Sequence, residues 1–196
     1  AARLARAGLG HPVPDVRRRA CVYLAAHPNV AEAPFLLPLL QDKSSQVASA
    51  AIIAIGACGP DCGPAVVKGL ESLLGGGDEM LRTEAAAVLA SWDVPSGMRA
   101  LDRAALSEAP SVRQRAAEAM GESADPAFLP YLIRLLDDRQ HIRVAALAAL
   151  SKTLGDETAG IGDMLTVTEK VTRWKIWYEK EGGTRTADRA GSPPKE

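Results

Sequence analysis

Five times the chain repeats one helical stripe: an apolar residue, an alanine four places on, and another apolar residue four further. The copies are Val16/Ala20/Leu24, Val47/Ala51/Ile55, Leu81/Ala85/Leu89, Val112/Ala116/Met120 and Ile142/Ala146/Leu150. Residues four apart share one face of an α-helix, so each triplet is a narrow apolar ridge. The copies start at 16, 47, 81, 112 and 142, stepping by 31, 34, 31 and 30 residues. A near-fixed period in that range marks stacked helical units. The pattern predicts an all-α fold, a right-handed α-solenoid of about five helix pairs over residues 1–154. A C-terminal capping helix over 155–181 and a disordered tail or linker over 182–196 follow it.

Each striped helix has an apolar helix before it, read as Val30 to Gln41, Pro64 to Leu74, Pro95 to Leu106 and Pro126 to Asp137, with Ala1 to Leu9 the remnant of one more. Proline at a helix start is tolerated because the first turn has no intrahelical use for its N–H. The links within and between pairs are a few residues long and rich in Gly, Pro, Asp and Ser. Such short links force neighbouring helices to lie antiparallel and in contact. Alanine is abundant and aromatics are few, which suits helices packed by close approach of their backbones.

Charge narrows the partners. Lys and Arg total 23 against 24 Asp and Glu, a formal net charge of −1, which supplies no long-range pull on phosphates. Nucleic acid is disfavoured on that ground. No stretch approaches the roughly 18 consecutive apolar residues that a membrane span needs. The chain opens at Ala1 with no signal core, compatible with a processed protein or a fragment of a longer one, and the compartment stays open.

The residue after the first apolar anchor is Arg17, Arg82, Arg113 and Arg143, with Ala48 the exception. This Val-Arg-x-x-Ala-x-x-x-Leu stripe, with Asp42 and Asp137 in the preceding turns, resembles the HEAT repeat family, including the short bacterial HEAT-like repeats, over about residues 1–154. The resemblance implies that the second helix of each pair lines a concave surface and that Asp and Arg form a structural ladder between neighbouring turns. Carried over, the ladder falls to Arg17, Arg82, Arg113 and Arg143. Ala48 interrupts it, leaving the second repeat either less rigid there or reliant on capping by Asp42 and Ser45.

The outward positions of the striped helices, Arg18, Arg19, Val22, Ile53, Glu84, Ala87, Arg115, Glu118 and Ala148, are the candidates for contact with a protein or peptide partner. After Gly155 the repeat fails. Trp174, Trp177 and Tyr178 then stand at i, i+3 and i+4, which puts three rings on one helix face. They read either as a cap over the last repeat, whose stacking face would otherwise be bare, or as an aromatic anchor for another chain. The segment Trp174 to Gly182 resembles the tryptophan-rich endings that follow HEAT-like repeats in some large bacterial proteins.

Catalytic signals are missing. No phosphate-binding Gly-x-x-x-x-Gly-Lys loop, nucleophile elbow or His-Glu-x-x-His zinc helix is present, so catalytic, metal and cofactor residues are read as none. Cys58-Gly-Pro-Asp-Cys62 places two thiols in one loop, but zinc needs two further ligands. Free thiols or a local disulfide are the readings there, and Cys21 reads as a small buried apolar residue. Two enzymatic relatives define the alternatives. HEAT-like DNA glycosylases use a basic groove that Trp92-Asp93 beside Arg82, Arg113 and Arg115 could imitate, and HEAT-like bilin lyases share the alanine-rich stripe. The reading adopted is a non-catalytic interaction scaffold.

Overall fold

The computed structural model describes residues 2–162 and 164–182. Residues 183–196, most of the segment read as a tail or linker, lie outside the described residues. Eleven α-helices are found among the described residues: α1 Ala2–Gly8, α2 Pro14–Ala26, α3 Ala33–Leu36, α4 Ser45–Cys58, α5 Pro64–Leu73, α6 Glu79–Ser91, α7 Pro95–Ala104, α8 Pro110–Ser123, α9 Leu129–Leu135, α10 Gln140–Leu154 and α11 Val167–Trp177. Short 3₁₀ turns join some of them, and there is no strand among these residues. None of the described helices is long and apolar enough to cross a membrane.

All five stripes fall inside the longer helices α2, α4, α6, α8 and α10. The preceding helices are less regular than a continuous apolar pattern suggests. Residues 30–41 form a 3₁₀ turn at Val30–Glu32, the single turn α3, and a second 3₁₀ turn at Leu37–Gln41. Pro34 and Pro38 explain the breaks: neither has an N–H to give the helical ladder. Residues 126–135 repeat the arrangement, with a 3₁₀ turn at Pro126–Phe128 running into α9 and Pro130 at its start. Both segments begin with an Asx cap, in which the Asn29 side chain accepts from Ala31 N at 2.9 Å and Asp125 from Ala127 N at 2.8 Å.

The chain divides into two compact units, Ala1–Ala100 and Leu101–Glu196. The division falls inside α7, and the second unit includes the 155–181 segment. In the first unit α1 packs on α2, α2 on α4, α4 on α6, and α5 on α6. The stripe alanines and third anchors of these helices are buried, among them Leu24, Ala51, Ile55, Ala85 and Leu89. Of the first anchors Val47 is buried, Leu81 is half-buried and Val16 is 36% exposed.

In the second unit α8 packs along α10, α9 lies against both, and α10 meets α11. Val112, Ala116, Met120, Ile142, Ala146 and Leu150 are buried. Close approach needs small residues at the crossings. A Cβ added at Gly121 would stand 2.8 Å from Ala149 Cα and Cβ, so the α8 and α10 backbones nearly touch. In the first unit, a Cβ at Gly97 would stand 2.5 Å from Leu89 Cβ and 2.6 Å from Ala90 N.

Helix α11 packs against α10 in the second unit. Thr166 and Glu169 form a capping box, with Glu169 N donating to Thr166 Oγ1 at 3.3 Å and Thr166 N to Glu169 Oε2 at 2.8 Å. Trp174 and Trp177 are buried and meet edge to face with ring centroids 5.6 Å apart, a favoured geometry for aromatic pairs. Trp177 Nε1 donates to Glu181 Oε2 at 3.1 Å. Tyr178 is half-buried and begins a π-helical turn, Tyr178–Gly182.

Candidate functional site

The four ladder arginines share one local task and differ in a second. Each donates to carbonyls of the turn just before its own helix. Arg17 Nη1 reaches His11 O at 2.7 Å and Pro12 O at 3.0 Å, and Arg113 Nη1 reaches Ser107 O at 2.7 Å and Glu108 O at 3.0 Å. Arg82 Nη1 donates to Gly76 O. Arg143 donates from Nε to Leu136 O at 2.9 Å and from Nη2 to Asp138 O at 3.0 Å. The guanidinium thereby satisfies carbonyls that the hairpin turn leaves without a helical partner.

Among the described residues, Arg17 and Arg113 also reach the next hairpin. Arg17 Nε and Nη2 donate to Asp42 Oδ2 and Oδ1 at 2.7 and 2.8 Å, and Arg113 Nε and Nη2 to Asp138 Oδ2 and Oδ1 at 2.5 and 2.9 Å. These are bidentate pairs. The guanidinium bonds hold both carboxyls below the usual aspartate range, helped by Ser44 N on Asp42 and Arg139 N on Asp138. The ladder aspartate of the last turn is therefore Asp138; Asp137 instead pairs with Lys175 of α11. Among the described residues Arg82 and Arg143 make no such pair, and 25 residues after each comes Ser107 and Thr168, where Arg17 and Arg113 find aspartates. Asp42 is also not a cap of α4, since its oxygens serve Arg17 and the Ser44 N–H, and Ala48 is simply buried.

The candidate contact residues divide by environment. Val22 on α2 and Ile53 on the adjacent α4 are 51% and 56% exposed, at the same repeat position, six residues after the stripe begins. Arg18 and Arg19, four and three residues before Val22 on α2, share the Asp15 carboxylate at 2.8 Å each, which draws Asp15 downward through the Arg18 hydrogen bond first. Two positions leave the exposed face. Ala87 is 4% exposed, withdrawn into the packing of α6, and Glu84 accepts a hydrogen bond from Ser49 Oγ of α4 at 3.0 Å.

In the second unit a groove of about 350 Å³ runs between α8 and α10, lined by Gln114, Glu118, Glu122, His141, Val144, Ala148 and Lys152 among others. It contains the predicted Glu118 and Ala148. Arg115 is tied down beside it by Glu122, at 3.2 Å from each guanidinium nitrogen that donates, and lies 3.9 Å from Glu118. Val144, exposed on the same face, is not among the outward positions named from the sequence, although it stands at the Arg18 position of its repeat. Trp174 and Trp177 are buried inside their unit instead of lying on its surface.

No group of three or more His, Cys, Asp or Glu able to hold a metal ion occurs among the described residues. Cys21 is buried, which pushes its thiol up to about 11. What these units offer chemically is surface: exposed aliphatic side chains on second helices, rimmed by paired charges.

No curated protein matches the chain. Among solved structures it is similar to the complex of CpcE and CpcF of phycocyanin lyase from Nostoc sp. PCC7120, at 16% identity and a TM-score of 0.62, covering 96% of this chain and 92% of that one. An engineered protein matches at 18% identity and a TM-score of 0.57, over 91% of this chain and 96% of that one. A designed armadillo repeat protein matches at 17% and 0.54, over 100% and 94%. At these identities the likeness concerns the fold, an all-α repeat solenoid. The family described as HEAT repeats matches residues 2–90 and 67–151, which together take in all five stripes, and the chain belongs to the HEAT repeat family.

Proposed function

We propose that this chain is a non-catalytic scaffold that holds a protein or peptide against the exposed faces of its second helices. The observation that carries the reading is the pair Val22 and Ile53, at the same outward repeat position on neighbouring helices of the first unit and each more than half exposed. Covering the exposed half of such a side chain is favourable by roughly half of the 1.5–3 kcal/mol of full burial, and exposed aliphatics rimmed by charge are the composition of a contact surface. The α8/α10 groove of the second unit supports the same reading with smaller apolar groups and a mixed rim. The ladder arginines add to it indirectly: they are spent on turn carbonyls and carboxylates, which leaves recognition to the residues beside them. Repeat folds of this family commonly serve protein interactions, and mixed charge on these faces suits a partner of mixed polarity.

A displayed random-peptide library selected against the purified chain, followed by titration of a selected synthetic peptide, tests the proposal. Val22→Asp with Ile53→Asp is expected to weaken a peptide docked on the first unit by at least tenfold while leaving the melting temperature within a few degrees, because both side chains already face solvent. Glu118→Lys with Val144→Asp does the same for a peptide docked on the second. Selected peptides indifferent to both pairs of substitutions would overturn the assignment.

A further inference from the structure

The Cys58-to-Cys62 loop, between α4 and α5 of the first unit, has no part in the scaffold surface. Cys58 ends α4, a 3₁₀ turn Pro60–Cys62 follows, and Gly59 and Gly63 flank that turn at φ of +84° and +89°, a region glycine alone enters cheaply. The chain therefore doubles back within one turn and brings both thiols to the same side of the loop. Cys58 Sγ lies 3.2 Å from Ala54 O and 3.4 Å from Asn29 O, the latter in the preceding loop between repeats; Cys62 Sγ donates to Gly59 O at 2.9 Å. The two thiols are in side-chain contact. Cys58 is half-buried and open to small reagents, Cys62 is buried, and both are free thiols here.

We infer that Cys58 and Cys62 form a site of reversible oxidation, closing to an intramolecular disulfide by exchange with a small-molecule disulfide such as oxidised glutathione. The order of events follows from access. The Cys58 thiolate attacks one sulfur of the reagent, forming a mixed disulfide and releasing the first thiolate, which takes up the proton Cys58 gave to solvent. Cys62 then attacks the Cys58 sulfur, displaces the second reagent thiolate, and its own proton ends on that leaving group. Two protein thiols and one disulfide become one protein disulfide and two small thiols, so atoms and electrons balance. Cys62 is the resolving partner: burial first, then Cys58 and Asp61, push its thiol up to about 11, which keeps it protonated until the mixed disulfide lies beside it. Oxidation takes the donor proton from Cys58, so the thiol link to Asn29 O, which joins two successive loops between repeats, is lost in the oxidised form.

The test equilibrates the purified chain in glutathione buffers from fully reduced to mostly oxidised, quenches with acid, alkylates in denaturant and reads the intact mass. The expected product has lost two hydrogen masses and keeps one alkylatable thiol, Cys21, and it returns to three on reduction. Cys62→Ser is expected to accumulate glutathione on Cys58, and Cys58→Ser to react little, since the remaining loop thiol is buried. Three alkylated cysteines in every buffer, a glutathione adduct that persists in the wild type as it does in Cys62→Ser, or a disulfide-linked dimer would each overturn the inference. The wild-type readout stands even where a serine variant folds poorly.

Discussion

Arg17 and Asp42 are joined by two parallel N–H···O bonds of 2.7 and 2.8 Å between successive hairpins, and 96 residues later Arg113 and Asp138 repeat the arrangement. In each pair the arginine's remaining nitrogen closes its own turn on two carbonyls. One side chain thus fixes the hairpin's entry and its distance to the next hairpin at once.

Removing the carboxylate of such a pair leaves a half-buried guanidinium without its charged acceptor. Asp138→Ala is expected to cost about 1–3 kcal/mol in urea unfolding, and Asp42→Ala acts in the same direction. The loss from Arg82→Ala is smaller, because Arg82 has one turn carbonyl and a Glu79 carboxylate 4.0 Å away. Equal losses for Asp138→Ala and Arg82→Ala would show that the cross-hairpin pair adds nothing to turn closure.

Acid separates two kinds of aspartate. Asp42 and Asp138 have folded values depressed below their unfolded ones, chiefly by arginine hydrogen bonds. Their contribution is present above the ordinary carboxylate range, about pH 4, and is lost as pH falls through the depressed values. Asp102 runs the other way: burial raises it against the opposing Tyr131 hydrogen bond, so its protonation favours the folded state as pH falls through its raised value. Urea midpoints from pH 7 to pH 2 are expected to fall most steeply below about pH 4. Replacing Arg17 and Arg113 by Met should flatten that fall, and Asp102→Asn should remove the opposing gain in weak acid.

Gly121→Ala tests the backbone approach of α8 and α10. Helix propensity alone would favour alanine by about 1 kcal/mol, but the new methyl would meet Ala149 at 2.8 Å. The substitution is expected to be net destabilising, by about 1–3 kcal/mol for overpacking, and Ala149→Gly in the same chain should recover part of it. A stabilised Gly121→Ala variant would contradict the close crossing.

Trp174 is buried against Trp177 in the second unit. Trp174→Ala is expected to cost about 3–5 kcal/mol and to raise binding of a hydrophobic dye, since it opens the interior that α11 covers. A small loss with no added dye binding would return the ring to the role of surface anchor.

The five stripes carried most of the fold because helix packing here uses one residue spacing repeated at one period, and both are written in the chain. The breaks at Pro34, Pro38 and Pro130 were equally present in the sequence, yet an apolar pattern hides them when length alone is read. The ladder partners depend on register across a hairpin: Asp138 and Asp137 are neighbours, and only backbone geometry decides which one faces Arg113. For the contact surface, outward helix positions were legible and their surroundings were not. Ala87 is covered by packing and Glu84 takes Ser49 of the neighbouring helix, which spacing along one helix does not announce, whereas the Asp15 pairs of Arg18 and Arg19 stand at i,i+3 and i,i+4 and could be read from the chain.

The most direct measurement is amide hydrogen exchange of the chain with and without a saturating library-selected peptide. Binding on the second helices predicts added protection in the exposed-face segments of α2 and α4, or of α8 and α10, with α5 and α9 unchanged. Protection confined to the first helices of the pairs, or spread evenly over the whole chain, would contradict the scaffold surface assigned to this protein.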